Sequence, residues 1–388
     1  MHALIHSLQD FLARCDDAHR ATALLALASL EGFGTSALSR LLACAVHHDD
    51  LCDTGLSVSL DRHQRDTLTA FLQNPERSAE WVSASATQQW LQERDGVAFT
   101  LFDAEYPKLL VEIPDPPLVL LARGNIELLH SPSLAVVGSR RPARSGVAAT
   151  QRLVASMARY ELTIVSGMAL GIDAVAHRAA LDAGLPTVAV WATGPDVIYP
   201  ARHRALASDI LDQGCIVTEM PLGTRARPGY FPRRNRIVSG LSRGVLVVEA
   251  AVASGSLLTA RLATEQNREV FAVPGPVESP LSRGCHQLIR EGATLVETAA
   301  DIAAEFGLRA THEVAGNERA HRCLPASLSP AAVDVWYALD YAACDREALA
   351  LRLPGLAAAQ LAAALVELEL EALVLVDAGS YQRAGCPA

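Results

Sequence analysis

The sequence predicts an α/β protein: an extended Rossmann-like domain with a parallel sheet, flanked by an N-terminal helical domain and a C-terminal winged-helix domain. Between about residues 95 and 310, uniformly apolar runs of strand length alternate with amphipathic stretches of helix length, which is typical of a parallel sheet covered on both faces. The residues before this region are rich in helix formers, and those after it show three helical stretches and a hairpin. We therefore place domains at 1–85, 86–310 and 328–388, with a linker at 311–327.

Composition restricts the classes to which this chain can belong. A length of 388 residues predicts roughly two or three domains, and 50% hydrophobic residues with few aromatics are typical of a soluble globular protein. No apolar stretch reaches the ~18 residues of a transmembrane helix, and the N-terminus lacks signal-peptide features, so we expect no membrane association. The eight cysteines are scattered without CxxC spacing, which indicates reduced thiols in the cytoplasm rather than disulfides or a zinc site.

The N-terminal domain is expected to contain a helical hairpin. Residues 21–30 are strong helix formers, Gly32 and Gly34 interrupt the pattern, and Thr35 is placed to cap a second helix. Helix, short Gly-x-Gly turn and helix resemble helix-hairpin-helix and SAM-like units, whose turns hold a DNA phosphate on backbone N–H groups. A plain hairpin in a small bundle is the alternative, because Arg40 is the only basic residue near the turn.

The central domain is expected to hold six core strands with helices between them. An edge strand near Val97 and an extended segment over 118–122 lead into the sheet. The predicted core strands are 134–137, 162–165, 187–191, 216–218, 244–248 and 269–273, and the predicted helices are 146–159, 173–183, 202–213 and 256–267. Ligands bind beyond the carboxyl ends of the strands in such a sheet, so the residues after each strand are the functional candidates.

Three of the loops after these strands carry small and hydroxyl residues. They are Gly138-Ser139-Arg140 after the first core strand, Ser166-Gly167 after the second, and Ser254-Gly255-Ser256 with Thr259 after the fifth. Such residues let backbone N–H groups approach an anion, and the helix N-termini that follow favour negative charge. The geometry of a tight turn also explains any single glycine loop, but three on one edge predict a site for a polyanion.

Residues 225–243 concentrate positive charge in a chain whose formal net charge is −10. Six arginines occur there beside Tyr230 and Phe231, and no acid lies between Glu219 and Glu249. Arginines with aromatics bind phosphates and stack bases, while a solvated basic loop is the alternative. Because the stretch leads into the fifth strand beside the glycine loops, we interpret it as one wall of a groove. The expected contact segment comprises Phe231, Arg233, Arg234, Asn235 and Arg236, with Arg225 and Arg227 peripheral.

Other motifs are absent or have two interpretations. The sequence has no GxxxxGK[ST], which excludes a P-loop ATPase, and no GxGxxG after the first core strand, which argues against a dinucleotide site. Asp173 and His177 lie four apart on a predicted helix, and we expect Asp173 to cap it and His177 to pack beneath the loop rather than to bind a metal. Glu219 and Glu249 each follow a strand, where a catalytic carboxylate or a partner for the arginines fits; we favour pairing.

The C-terminal domain is expected to bind protein, or to pack on its own chain, rather than DNA. Its third helix corresponds to the DNA-reading helix of a helix-turn-helix, but residues 353–382 contain no Lys or Arg. Glu367, Glu369 and Glu371 end that helix. Inserting it into a major groove is electrostatically unfavourable.

Six segments of the central domain resemble the DNA-processing protein A (DprA/Smf) family, in the family's order. They are VVGSRRPARSG, IVSGMALGIDAVAHRAAL, DVIYP, EMPLGTRARPGYFPRRNRIVSGLS, VVEAAVASGSLLTARLA and VFAVPGPVESPLSRGCHQLI. The resemblance implies an extended Rossmann fold that binds single-stranded DNA without hydrolysing nucleotides and forms a homodimer. It further implies that the protein protects incoming DNA and hands it to the recombinase RecA during natural transformation.

The same resemblance implies roles for individual residues. Gly138, Ser139 and Arg140 match the family's phosphate-binding loop, and its other DNA-binding positions correspond to Phe231, Arg233, Asn235, Arg236, Ser254, Gly255, Ser256 and Thr259. The chain departs from the family at four positions: His203 and His286 stand where the family usually has Asn, Ala192 stands where it has Gly, and Pro195 follows Gly194.

Two enzymatic functions are alternatives to DNA binding. A phosphoribohydrolase-like enzyme acting on nucleoside monophosphates uses a related sheet and a PGGxGTxxE loop, but the corresponding SGSLLTARL has Leu262 where the catalytic Glu would stand. A DNA-cleaving enzyme would need acids clustered for two-metal chemistry, and the sequence shows no such cluster. We therefore predict a non-catalytic protein without cofactor or metal.

Overall fold

A computed structural model describes residues 2–33, 38, 41–42, 60–310, 328–339, 343–377 and 379–383. The predicted cap at Thr35, most of the helix expected to follow it, and the predicted linker at 311–327 lie outside these residues.

The described N-terminal residues form helices that pack on one edge of the central sheet. The helices are α1 (His2–Arg14), α2 (Asp17–Ala28), α3 (Arg62–Gln73) and α4 (Ala79–Gln92). Asp16, Asp61 and Ser78 cap three of them by accepting a backbone N–H from the first turn. Buried leucines of these helices share one apolar cluster with Val119 of the sheet. Helix α4 runs across the predicted boundary at residue 85, and the division into domains stays a prediction.

Nine strands of the described chain form one sheet in the order β1-β2-β6-β5-β4-β3-β7-β8-β9. The strands are β1 (Val97–Thr100), β2 (Val119–Gly124), β3 (Ser133–Val137), β4 (Thr163–Ser166), β5 (Thr187–Val190), β6 (Cys215–Thr218), β7 (Gly244–Val247), β8 (Glu269–Ala272) and β9 (Thr294–Leu295). All neighbours from β6 to β9 pair in parallel, which confirms the predicted parallel core. β1 and β2 pair antiparallel at one edge, and the two-residue β9 at the other edge was not predicted.

Helices cover both faces of this sheet, as the apolar strands predict. They are α5 (Lys108–Val111), α6 (Arg144–Ser156), α7 (Ile172–Asp182), α8 (Arg204–Gln213), α9 (Tyr230–Gly240), α10 (Gly255–Glu265), α11 (Arg283–Arg290) and α12 (Ala299–Phe306). Leu134 and Val136 of β3 pack in one apolar cluster with Ile172, while Val137 packs in another with Ile237. Successive β3 residues therefore bury on opposite faces, which leaves the strand no solvated side.

The arginine-rich stretch contains helix α9, so the solvated-loop alternative is wrong for residues 230–240. Its last turns are apolar and buried: Ile237 and Val238 lie in the core of the sheet. A Cβ added at Gly240 would come 2.8 Å from Leu110, so α9 packs closely on α5 there. The arginines of the first turns are thereby fixed in orientation relative to the strands.

The order in which successive strands join the sheet reverses between β3 and β7, although the two strands are parallel. From β3 the strands follow one another towards β6, whereas from β7 they follow one another towards β9 on the other side. A crevice forms at such a reversal, beyond the carboxyl ends of the strands, and this is where open α/β sheets bind ligands. The loop that begins at Gly138 and the segment 249–254 lie on its two sides.

The C-terminal residues form three helices and a small antiparallel sheet around their own apolar cluster. The elements are α13 (Pro330–Ala338), β10 (Cys344–Asp345), α14 (Arg346–Arg352), α15 (Ala358–Leu370), β11 (Val374–Asp377) and β12 (Ser380–Arg383). The expected helices and hairpin are present, and the winged-helix assignment stays a prediction. Arg144 of α6 donates to the carbonyl of Val376 (2.6 Å) and pairs with Asp377, so the hairpin contacts its own chain beside the Gly138 loop.

Candidate nucleic-acid interface

A pocket opens at the carboxyl ends of β4 and β5, beside the loop that follows β3. It encloses about 490 Å³, part of which is open to solvent. Its lining combines the predicted Arg140, Gly167, Phe231 and Arg234 with Met168, Ala169, Leu170, Trp191, Ala192, Thr193, Tyr199 and Pro200. Four residues predicted from three separate parts of the sequence therefore meet at one place, at the edge of the sheet where the strand topology places ligands.

The rim of this pocket is an aromatic pair, the exposed Tyr199 and the half-buried Phe231, beside a cation. The ring centroids of Tyr199 and Phe231 lie 5.6 Å apart at 46°, and Tyr199 is 50% exposed. The guanidinium of Arg140 lies 5.6 Å from the centre of the Phe231 ring and is exposed to solvent. We call these three side chains the platform. Such a group stacks a planar base while its cation attracts the neighbouring phosphate.

The floor of the pocket depends on a buried arginine. Arg234 donates to the carbonyl oxygens of Val190 (2.7 Å) and Gly167, and its side chain is almost fully buried. Its guanidinium lies against the Cα of Gly167, where any side chain would collide with it. Burial lowers the pKa of Arg234 to about 10, although Asp173 acts in the opposite direction, so the residue stays charged at neutral pH. Arg234 thus holds the Gly167 loop from below.

Asp173 has a different role from the predicted helix cap. Gly171 occupies the cap position of α7, and the Asp173 carboxylate instead accepts the N–H groups of Gly167 (3.1 Å) and Ala169 (3.3 Å). Burial raises the pKa of Asp173, while Arg234 and the two N–H groups oppose that shift. The N–H groups of Gly167 and Ala169 are therefore bound internally, not free for a ligand. The hydroxyl of Ser166 also points inward, donating to the carbonyl of Val136 (2.6 Å).

His177 is fully buried, as expected from the sequence. Its Nδ1 lies 2.7 Å from the hydroxyl of Thr187, and burial lowers its pKa to about 3, so the ring is neutral. Within the described ranges, no three potential metal ligands form a cluster.

A second buried group lies behind α9. Arg236 donates to Glu219 (2.6 Å) and to Asp115 (3.1 Å), and Arg233 donates to the same Glu219 oxygen (3.0 Å). The Arg236 side chain is 8% exposed and that of Glu219 4%, whereas Arg233 is 36% exposed. The predicted pairing of Glu219 with arginines is confirmed. Arg236 lies inside the protein, and Arg233 is the arginine of this group that reaches solvent.

The third loop connects β7 with α10. Ser254 accepts the N–H of Ser256 and shares a 2.6 Å hydrogen bond with its hydroxyl, while Ser256 and Thr259 are buried. Asn235 donates to the carbonyl of Gly255 (3.4 Å), and a Cβ at Gly255 would meet open space. Of the four residues predicted here, Ser254 and Gly255 are therefore the accessible ones.

The first loop is folded against α7. The carbonyl of Ser139 accepts the N–H of Ile172 (3.1 Å), and its hydroxyl accepts the N–H of Arg141 (3.1 Å). The Gly138 and Gly167 loops are consequently neighbours. Ser139 is buried, so Arg140 and Arg141 are the side chains of this loop exposed to solvent.

The two histidines that depart from the family pattern both bind backbone groups. Nδ1 of His203 lies 3.1 Å from the carbonyl of Met168 in the pocket loop, and Nε2 of His286 lies 2.9 Å from the carbonyl of Gly275. Each histidine places a ring nitrogen at a loop carbonyl. These departures thus still contribute to holding the loops.

Tyr199 was not among the predicted site residues. Its only signal was the DVIYP segment, which carries no chemistry of its own until the fold places it against Phe231.

No helix in the described part of the chain combines the length and hydropathy that a membrane span requires.

Comparison with known proteins identifies the family of the chain. The model of the family described as DNA recombination-mediator protein A matches residues 98–307, which is the whole central sheet apart from its first residue. Protein Smf of Escherichia coli is 41% identical over 288 residues, which are 74% of each chain. The DNA processing protein DprA of Streptococcus pneumoniae is 45% identical over 209 residues, or 54% of this chain and 74% of that protein.

A solved structure agrees with this assignment. The X-ray structure of DprA from Streptococcus pneumoniae is 34% identical, covers 75% of this chain and 98% of that one, and superposes with a TM-score of 0.61. The family match spans more than half of the chain, and the six motif segments, the sheet and the relatives agree with it. The chain belongs to the DNA recombination-mediator protein A family.

Proposed function

We propose that this protein binds and protects single-stranded DNA at the carboxyl edge of its sheet and acts in DNA processing during natural transformation, without catalysing a reaction. The observation that carries this proposal is the platform at the rim of the pocket, where the exposed Tyr199 and Arg140 contact the half-buried ring of Phe231. The names of the family and of the Streptococcus pneumoniae relative, a DNA processing protein, support the same role.

The platform favours single strands for a physical reason. In a duplex the base faces are covered by stacking, whereas a single strand presents them to an aromatic side chain. One base stacked on Phe231 contributes about 1–3 kcal/mol, and the sequence of the strand matters little because every base has such a face. The exposed Arg140 and Arg141 lie where the adjoining phosphates would run.

We assign the predicted site residues to two roles. Direct contacts come from the platform, from Arg233 and Asn235 of α9, and from the backbone at Gly138, Ser254 and Gly255. Supporting roles belong to the buried members, which are Ser139, Ser166, Gly167, Arg234, Arg236, Ser256 and Thr259.

Finer parts of the proposal come from the family resemblance. We propose that the protein delivers the DNA to RecA, that it forms a homodimer through the Rossmann-like domain, and that it acts in the cytoplasm. We also propose the SAM-like assignment for the N-terminal helices and the winged-helix assignment for the C-terminal module. The scattered cysteines support a reducing compartment.

The phosphoribohydrolase-like alternative is disfavoured by one position. Leu262 of α10 stands where that chemistry needs a carboxylate, and the hydroxyl of Thr259 three residues earlier is buried. No base or acid beside the pocket replaces it among the described lining residues.

The proposal is tested by titrating a labelled oligothymidylate and a duplex of equal length with wild type and Phe231→Ala. We expect a clear preference for the single strand, and a loss on substitution of about 5- to 150-fold, corresponding to one stacked base. Phe102→Ala is the matched control, since Phe102 is an exposed ring outside the pocket lining. Equal affinity for duplex and single strand, or equal affinity of Phe231→Ala and wild type, would refute the platform.

A further inference from the structure

We propose that Glu249 is the positioning residue of the loop that runs from Gly138 to Ala143: its carboxylate supplies, from a neighbouring strand, the acceptor that a capping box would supply from within helix α6. This inference rests on the proposed function, because it concerns the loop that presents Arg140 and Arg141 to DNA. It replaces both sequence interpretations of Glu249, the catalytic carboxylate and the partner of an arginine.

Glu249 reaches across the crevice between β7 and β3. The residue follows β7 and is 9% exposed, and its Oε2 accepts the backbone N–H of Ala143 at 2.9 Å. Ala143 is the residue before the first turn of α6, and no side chain of the chain segment itself caps that helix. The only acceptor described for this N–H is thus 106 residues away in the sequence.

The arrangement reproduces a capping box with its acid moved to another strand. In a capping box the third residue of the helix is Glu or Gln, and its side chain accepts the N–H of the cap residue. The third residue of α6 is Gly146. A Cβ built on Gly146 would lie 2.5 Å from Oε1 and 2.7 Å from Oε2 of Glu249, so the carboxylate occupies the space of the missing side chain.

The other end of the loop also rests on Glu249. A Cβ at Gly138 would come 3.1 Å from the carbonyl oxygen of Glu249 and 2.7 Å from the side chain of Ile172. Gly138, before the loop, therefore packs against the backbone of Glu249, and Gly146, after it, packs against the Glu249 carboxylate. Glu249 sets where the loop begins and where the helix after it starts.

The positioning role of Glu249 and the effect of its negative charge on DNA binding act in opposite directions, so experiment can separate them. Burial raises the pKa of its carboxyl, the Ala143 N–H opposes the shift, and among the described residues no arginine forms an ion pair with it. A carboxylate near the phosphates of DNA weakens binding through repulsion. A substitution of Glu249 that removes the negative charge but keeps an acceptor for the Ala143 N–H should therefore strengthen DNA binding. A substitution that removes the acceptor should weaken it.

The experiment compares four variants in affinity for labelled oligothymidylate, melting temperature and hydrogen exchange of the peptide that contains residues 138–147. Glu249→Gln keeps an acceptor oxygen, and we expect unchanged or tighter binding and unchanged exchange. Glu249→Ala should bind about fivefold more weakly, the loss of one cap, with faster exchange. Gly146→Gln should also weaken binding, because its side chain collides with the carboxylate.

The double variant Glu249→Ala/Gly146→Gln is the decisive one. It moves the acceptor back to the third position of the helix and frees the space for it, so we expect affinity and exchange within twofold of wild type. If Glu249→Ala binds as tightly as Glu249→Gln, Glu249 acts by charge alone and the proposal fails. It also fails if the double variant is no better than Glu249→Ala.

Failure of this inference is distinguishable from failure of the proposed function. If the wild type does not bind the oligonucleotide, the proposed function falls, but the exchange of residues 138–147 still decides the role of Glu249. If the wild type binds and loses affinity in Phe231→Ala while the Glu249 variants exchange alike, only the positioning role is overturned.

Discussion

The platform and the buried arginines of α9 come from the same short stretch of chain but lie in opposite environments. Phe231 faces Tyr199 and the exposed Arg140 at the rim of the pocket. Arg234 and Arg236, three and five residues later, are inside the protein and bind carbonyl and carboxylate oxygens. A run of arginines is therefore not a count of phosphate contacts, because part of the charge is used to hold the groove in shape.

Substituting an arginine has different consequences in the two environments, for DNA affinity in one and for folding stability in the other. An exposed cation is solvated with or without DNA, so its removal changes binding and leaves stability almost unaltered. A buried ion pair is stable only while both members are present, because the survivor becomes an unpaired charge away from water. Stability and DNA affinity should therefore respond to different arginines of this one segment.

The largest expected effect is on stability, from Arg236→Ala. It removes the more buried of the two arginines that bind Glu219 and the arginine that binds Asp115, and Glu219 keeps only the half-exposed Arg233. Breaking a buried pair costs up to about 3–5 kcal/mol. Chemical denaturation should show this decrease in the free energy of unfolding. Arg227→Ala, an exposed arginine of the same stretch, is the control and should leave stability unchanged. A stable Arg236→Ala variant that binds DNA poorly would place Arg236 among the contacts and break the comparison.

A smaller effect concerns pH and the histidine beneath the pocket loop. The pKa of His177 falls from 6.5 to about 3 on folding because the ring is buried, so the unfolded chain takes up the proton first as pH decreases. The corresponding stability is present above pH 6.5 and is lost as pH falls from there towards 3. Linkage gives a loss of roughly 2–3 kcal/mol between about pH 7 and about pH 4.5.

Denaturation at both pH values checks this, with His177→Asn as the comparison. The Asn side chain keeps a polar group near Thr187 and does not titrate, so the variant should lose less stability on acidification. An identical pH dependence in both proteins would mean that titrating groups other than His177 account for the acid sensitivity.

The parts of the fold that follow from local pattern were predictable. Apolar runs and amphipathic intervals located the parallel strands within one or two residues, since strand and helix periods are properties of neighbouring residues. The glycine loops could be placed at the carboxyl edge for the same reason, because the order of strands and helices determines that edge.

The parts that depend on distant partners were not predictable. The buried Arg236 binds Asp115, which lies 121 residues earlier in the sequence. Tyr199 contacts Phe231 only through the packing of the strands between them. Glu249 holds Ala143 across 106 residues. No local period encodes such pairs, so sequence patterns identified the arginine segment but not which of its members reach solvent.

The smallest expected effect is on the salt dependence of binding and separates the exposed arginines from one another. Each phosphate neutralised on a single strand contributes about 0.7 to the slope of log affinity against log salt. Arg140 is exposed beside the Phe231 ring, so Arg140→Ala should reduce the slope by about that amount. Arg233 is partly committed to Glu219, so Arg233→Ala should change the slope less, and the peripheral Arg225→Ala should change it least. Titrations at several salt concentrations measure all three. If Arg225→Ala flattened the slope as much as Arg140→Ala, the arginines would act as a diffuse field, and the distinction between contact and peripheral charge would not hold.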